Sequence, residues 1–325
     1  MQLSKGNIVD DLLSWQEAYQ KYILSLNYSE HTIYLYFRIV ECFIEYSRQY
    51  VDEITIKTIN RPYIINFLNF MNENIINIDK KGNKLKNSNG IAKTTKTLYL
   101  RALISFLNYI SENNDDLMDF YTCFKNIKIS GYSNADEKLE YLSIEEEQRL
   151  LDLLENSKKR KKSLDISFKK SFLIKLMLFG GLRVSEALKV KLADFTLNAA
   201  ENLYYIKIPM AKGGKEQIGY IAANKIAEEI DYFLEHKNSN DYLFTTKTGL
   251  LMNRSNVFVM INSLYKQALI KKKGCHILRH TLAIRLTEQD VNLAIIKKIL
   301  RHSNIATTTI YAKATSKGIS QALNK

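Results

Sequence analysis

The sequence predicts a mainly α-helical protein with one small antiparallel β-sheet, arranged as two domains. Three observations lead there. Apolar residues recur at helical spacing through most of the first half. The second half holds two short β-type runs around a glycine-containing turn. The chain, at 325 residues, is longer than one core ordinarily organises.

The first half reads as a helix bundle. Residues 29–48, "SEHTIYLYFRIVECFIEYSR", open on the capping residue Ser29 and place Ile33, Phe37, Val40 and Ile44 on one stripe. Pro62 stands near the start of a helix over "PYIINFLNFMNENI", where its missing N–H costs nothing. The polar, basic segment 78–90, "IDKKGNKLKNSNG", reads as a loop. Residues 94–111, "TTKTLYLRALISFLNYIS", align Leu100, Leu103, Leu107 and Ile110, with Lys96 and Arg101 elsewhere on the helix. Periodicity then fails, and small polar residues mark an interdomain linker over 128–143. The predicted domains are 1–127 and 144–325. In the second, "LYYIKI" at 203–208 and "QIGYIA" at 217–222 form a hairpin, with Lys212 in or beside its turn. Helices dominate from there to the C-terminus.

Charge narrows the function. The net charge of +13, from 47 Lys and Arg against 34 Asp and Glu, makes a polyanion the first partner to test. Richness in Lys, Asn and Ile is a second source of that balance. The N-terminus carries acids where a signal peptide needs an apolar core. The longest apolar run, Phe172 to Leu182, contains Lys175 and is too short to span a bilayer. The expectation is a soluble, cytoplasmic chain. Its cysteines, Cys42, Cys123 and Cys275, are widely spaced and without a CxxC pair, unlike a disulfide framework or a structural zinc cluster.

Three stretches carry chemistry. "GGLRVSEAL", residues 180–188, holds Arg183 between a glycine pair and a helical pattern. "CHILRHTLAI", residues 275–284, places His276, Arg279 and His280 within one helix, so that 276 faces both 279 and 280. A zinc reading of His276 and His280 fails because the metalloprotease pattern needs a glutamate where Ile277 stands, and Arg279 would repel a dication. Cys275 and His276, being adjacent on a helix, point apart and make no nucleophile–base pair. An anion site fits better. Arg279 offers a planar fork for two phosphate oxygens, His276 can exchange a proton near neutrality, and Arg183 would complete the clamp. "LRHSNIATTTIYAKA", residues 300–314, adds His302 and Tyr311 in a segment of low helix propensity crowded with threonines.

Together "GGLRVSEAL", "AKGGKE", "HILRHT" and "RHSNIATTTIYA" resemble the tyrosine recombinase (integrase) family, most closely its Xer-like bacterial branch. The resemblance covers about residues 140–325, and the helical first half is similar, less specifically, to the family's core-binding domain. It implies a two-domain clamp around DNA and a site-specific recombinase. Arg183 and Arg279, with His276 and His302, would cradle the scissile phosphate. Tyr311 would attack phosphorus and become linked to the DNA 3′ end, with His276 as its base. Lys212 matches the lysine that protonates the leaving 5′ oxygen, and Lys215 is the nearby decoy. One ester replaces another, so no cofactor, ATP or metal is called for. The implied partner is double-stranded DNA with inverted half-sites, bound by two protomers per duplex and four in synapsis, with an accessory activator in some branches and no membrane.

Two features depart or stay open. The family usually has glycine where Arg301 stands, a substitution that costs energy if the position needs a positive φ. The tail after Tyr311 is short, and the resemblance implies that such a tail is exchanged between neighbours. The alternatives are a topoisomerase-like strand cutter and a non-catalytic DNA-binding regulator. A degenerate regulator typically loses Arg183 or Tyr311, and both are present.

Overall fold

A computed structural model describes residues 1–4, 6–50, 54–74, 76–78, 84–86, 91–127, 139–159, 164–208, 216–246, 248–302, 308, 309 and 311. The chain divides into two units, Met1–Glu137 and Lys138–Lys325.

Among the described residues the first unit is built on four α-helices, α1 (Ile8–Ser25), α2 (Glu30–Ser47), α3 (Arg61–Asn74) and α4 (Lys93–Asn113). Asn7 caps α1 and Ser29 caps α2, each side chain accepting from backbone N–H groups of the first turn. Leu100, Leu103, Leu107 and Ile110 of α4 are buried as their spacing predicts. On α2, Val40 and Ile44 are buried while Ile33 and Phe37 pack at the margin of the same core. Polar ends of buried aromatics find partners: Trp15 Nε1 donates to the Leu3 carbonyl at 3.0 Å, and Tyr19 donates to Ser105 Oγ at 2.8 Å. The segment expected to be a loop is corrected in part. β1 (Ile76–Ile78) pairs antiparallel with β2 (Lys84–Lys86), with Asn77 opposite Leu85. Strands of three residues leave no readable alternation, so their pairing is invisible to periodicity.

In the second unit α5 (Ile144–Lys158) starts with a capping box, Ser143 and Glu146 each accepting the other's backbone N–H. The linker predicted over 128–143 ends earlier than expected. Leu142 is fully buried in the second unit's core and its N–H donates to Thr281 Oγ1 at 2.9 Å, while 128–138 lie outside the described residues. The helix α6 (Leu164–Leu178) has apolar residues on all sides and therefore occupies the centre of the core. After the single turn α7 (Val184–Ala187) comes a three-stranded antiparallel sheet in the order β3 (Phe195–Asn198), β4 (Leu203–Ile208), β5 (Gln217–Ala222). The expected hairpin is β4–β5, with Ile206 opposite Gly219. The strand β3 is an addition, too short to stand out before its pairing with β4 is seen. Helices α8 (Ala227–His236), α9 (Arg254–Gln267), α10 (His276–Glu288) and α11 (Leu293–Leu300) follow. No helix among the described residues is long and apolar enough to cross a membrane.

Candidate active site

The site grows from a tight turn between α6 and α7. Gly181 adopts φ +60°, and a Cβ there would stand 3.0 Å from the side chains of both Leu282 and Leu300. Glycine is therefore favoured twice, by the backbone angle and by the close approach of Leu282 from α10 and Leu300 from α11. The turn presents the Gly181 carbonyl inward and places Arg183 as the cap of α7. Glu186, one turn later, accepts from the Arg183 backbone N–H at 2.8 Å and from its guanidinium at 2.7 Å.

Two further guanidinium groups converge on this turn. Arg279 of α10 is buried and donates to the carbonyls of Gly181 and Leu300, tying the turn to the end of α11. Arg301 donates to the Gly181 carbonyl at 3.0 Å and to Glu186 at 2.8 Å. Three arginines thus face one carboxylate, leaving two positive charges unbalanced. Although burial works against it, Glu186 is held below the ordinary carboxylate range by Arg301 and Arg183. Burial, reinforced by Arg183 and Arg301, pulls Arg279 downward, the signature of a cation short of an anion.

The histidines and the tyrosine line up beside these arginines. Tyr311 is 1% exposed, and its ring stacks on His302 at 6.2 Å between centroids and 13° between planes. His302 Nδ1 lies 2.9 Å from Thr308 Oγ1, a bond that fixes its ring. The Tyr311 hydroxyl is 2.9 Å from His280 Nδ1. His276 opens α10, with its ring 6.3 Å from that of His280. Burial lowers all three histidines. For His276, Arg254, Arg279 and Arg183 add repulsion. His280 falls to about 4 by burial, His276 and Arg279, and His302 to about 4 by burial and the three arginines. All three are neutral near pH 7. Burial raises the Tyr311 hydroxyl above its ordinary value against the pull of Arg279 and Arg183, so the resting tyrosine is protonated.

Of the six residues expected in the site, Arg183, His276, Arg279, His302 and Tyr311 are brought together on the second unit. Lys212, like Lys215 and the tail beyond Tyr311, lies outside the described residues. Two neighbours escaped the sequence reading. Glu186 sits within the quoted "GGLRVSEAL" at the third position of its helix, where a capping-box acid belongs. His280 drew notice only as a zinc ligand that fails, yet it is His280 that meets the hydroxyl. That bond, with Arg279 between the two histidines in sequence, leaves the pair ill suited to a dication. A carboxylate trio elsewhere, Glu155, Glu228 and Glu229, has Lys158 and Lys175 bonded into it, so that two of its three charges are balanced.

Arg301 also carries backbone strain. It ends α11 in the left-handed region, φ 55° and ψ 45°, with its N–H and that of His302 returning to the carbonyls of Lys298 and Lys297. That is a Schellman ending, which favours glycine. The positive φ suspected from the sequence is present, and a non-glycine residue there costs about 1–2 kcal/mol. Arg301→Gly would relieve that strain but break a buried pair, a loss worth roughly 3–5 kcal/mol when one partner stays behind. Glu186 retains Arg183, which places the loss at the low end. The variant is expected to be less stable by about 2 kcal/mol, read as a lower denaturation midpoint in urea. A higher midpoint would show that relief of strain outweighs loss of the ion pair.

The model of the phage integrase family matches residues 140–317, more than half of the chain. The tyrosine recombinase XerH of Campylobacter jejuni is 28% identical over 228 residues, 68% of this chain and 62% of that protein, so the match spans less than two thirds of this relative. A tyrosine recombinase of Pseudothermotoga lettingae is 27% identical over 300 residues, 91% of this chain and 92% of that one. In fold, the chain is similar to a XerH site-specific recombinase bound to its difH substrate in a pre-cleavage complex, with TM-score 0.75, 20% identity, and 99% and 98% of the two chains covered. The chain belongs to the phage integrase family, as a Xer-like tyrosine recombinase.

Proposed function

We propose that this recombinase exchanges DNA strands by transesterification at the cluster of Arg183, Arg279, His276, His302 and Tyr311. The carrying observation is the convergence of unbalanced guanidinium charge with a buried, protonated tyrosine on one wall of the second unit. Attack on a diester concentrates negative charge on the phosphoryl oxygens, and preorganised cations there lower the barrier most. Arg183 is 38% exposed at its side chain and able to meet the phosphate, whereas Arg279 reaches it from within. His276 and His302, though neutral, add N–H donors.

Tyr311 attacks phosphorus, the P–O bond to the 5′ oxygen breaks, and the protein is left on the 3′ phosphate. Lys212 is the proposed donor to the leaving oxygen, from its match to the family motif. The new ester conserves the energy of the old one, so the 5′ hydroxyl of a second duplex can reverse the step without ATP. One tyrosine per protomer cuts one strand, which calls for two protomers on inverted half-sites and four in synapsis. The first unit, residues 1–127 as the helical core-binding domain, meets DNA phosphates through individual basic side chains such as Lys93 and Arg101 of α4, which are exposed, and the reaction runs in the cytoplasm.

The test is capture. The purified chain, incubated with sheared genomic DNA of its host in EDTA and denatured, is expected to carry DNA joined through its 3′ end, and sequencing that DNA gives the site. Adducts through 5′ ends, or adducts formed only after a metal is restored, would overturn the mechanism.

A further inference from the structure

Charge accounts for phosphate binding but leaves open where the phenolic proton goes. The sequence points to His276, since it shares a helical face with Arg279. The side chains are arranged otherwise. The group hydrogen-bonded to the Tyr311 hydroxyl is His280, one turn further along α10, with Nδ1 2.9 Å from the oxygen. His302, its ring 6.2 Å from that of Tyr311 between centroids and 13° between planes, has its own Nδ1 engaged by Thr308. The distance to His280 is that of a proton-transfer contact already formed before DNA arrives.

We infer that His280, rather than His276, takes the phenolic proton of Tyr311 as the tyrosine attacks, and returns it when the phosphotyrosine is resolved. This rests on the transesterification proposed above. In the forward step the O–H bond of Tyr311 breaks, its proton passes to the Nδ1 lone pair, the oxygen bonds to phosphorus, and the 5′ oxygen leaves with a proton from its own donor. In the reverse step the incoming 5′ hydroxyl gives up that proton, phosphorus is transferred to it, and the tyrosine oxygen recovers the proton from His280. Atoms and charge balance with no further reactant.

The surroundings explain why the transfer waits for substrate. His280 is faced by His276 and Arg279 from its own helix, and by Tyr311 and His302 from the C-terminal segment. Burial and the cations keep it neutral, with the lone pair available but of low proton affinity. Burial likewise keeps Tyr311 protonated. A diester seated on Arg183 and Arg279 brings negative charge that grows toward the transition state. That charge offsets the repulsion on an imidazolium and raises the affinity of His280 for a proton when the tyrosine needs to release one. Nucleophile and base are thereby idle until a phosphate binds.

Single-turnover adduct formation on a nicked duplex carrying the recovered site separates a base from a spacer. His280→Asn keeps a polar atom near the hydroxyl but cannot store a proton, and His280→Gln does so with a longer reach. Both are expected to bind the duplex as wild type does and to form adduct slower by roughly 10²-fold or more. Their rates should rise about tenfold per pH unit, as hydroxide substitutes for the base, while wild type stays flat across neutral pH. Wild-type rates and a flat profile in either variant would overturn the inference, as base catalysis would then lie elsewhere. A wild-type chain that forms no adduct would instead sink the recombinase mechanism itself. Independently of either variant, nitrogen NMR of the DNA-free wild-type protein is expected to show Nδ1 of His280 unprotonated. A proton resident on Nδ1 would overturn the proposal even if both variants failed to fold.

Discussion

Tyr311→Phe is expected to bind its DNA site as tightly as the wild-type chain and to form no covalent adduct. The substitution removes one oxygen. The ring remains to fill a position 1% exposed and to stack on His302, so the packing that holds the end of the described chain is kept. The structural cost is the bond to His280, on the order of 1 kcal/mol, with a neutral imidazole left facing a ring C–H. Loss of chemistry is total because an adduct through any other group would need another nucleophile in line with phosphorus. Incubation with a nicked duplex, followed by a denaturing gel, reads the outcome directly. An adduct at wild-type yield would remove Tyr311 from the mechanism, and lost binding with intact fold would mean that its hydroxyl serves DNA contact instead.

What the sequence made legible, and what it did not, follows from the range of the forces involved. Arg183, Arg279, His302 and Tyr311 could be singled out since charge, fork geometry and motif order are properties of residue types and spacing. The helices of the first unit were readable because a stripe such as Leu100, Leu103, Leu107 and Ile110 repeats over several turns. Partnerships across long separations were not. Glu186 binds Arg301 over 115 residues and His280 meets Tyr311 over 31, and no local pattern announces either. The strands β1, β2 and β3 were missed for the same reason, since three or four residues acquire their meaning only from the strand opposite. The early end of the linker turned on one tertiary bond, from Leu142 to Thr281.

Arg279→Lys is expected to lower single-turnover cleavage by roughly 10²–10³-fold, and to destabilise the second unit by about 2–4 kcal/mol, although it preserves charge. The guanidinium spans two carbonyls that belong to different elements, Gly181 in the turn before α7 and Leu300 at the end of α11. A lysine concentrates its donors on one atom and cannot bridge both, so one buried carbonyl loses its partner. The turn that it releases carries Arg183, and the helix end that it releases leads into His302. Both would drift from the phosphate even before the fork itself is missed, which makes the two losses coupled rather than additive. Urea denaturation and adduct kinetics on the same preparation check the pair of effects. Cleavage within about threefold of wild type, alongside the predicted loss of stability, would mean that Arg279 is a structural tie alone. In that case Arg183, the more exposed arginine, would have to hold the phosphate without it.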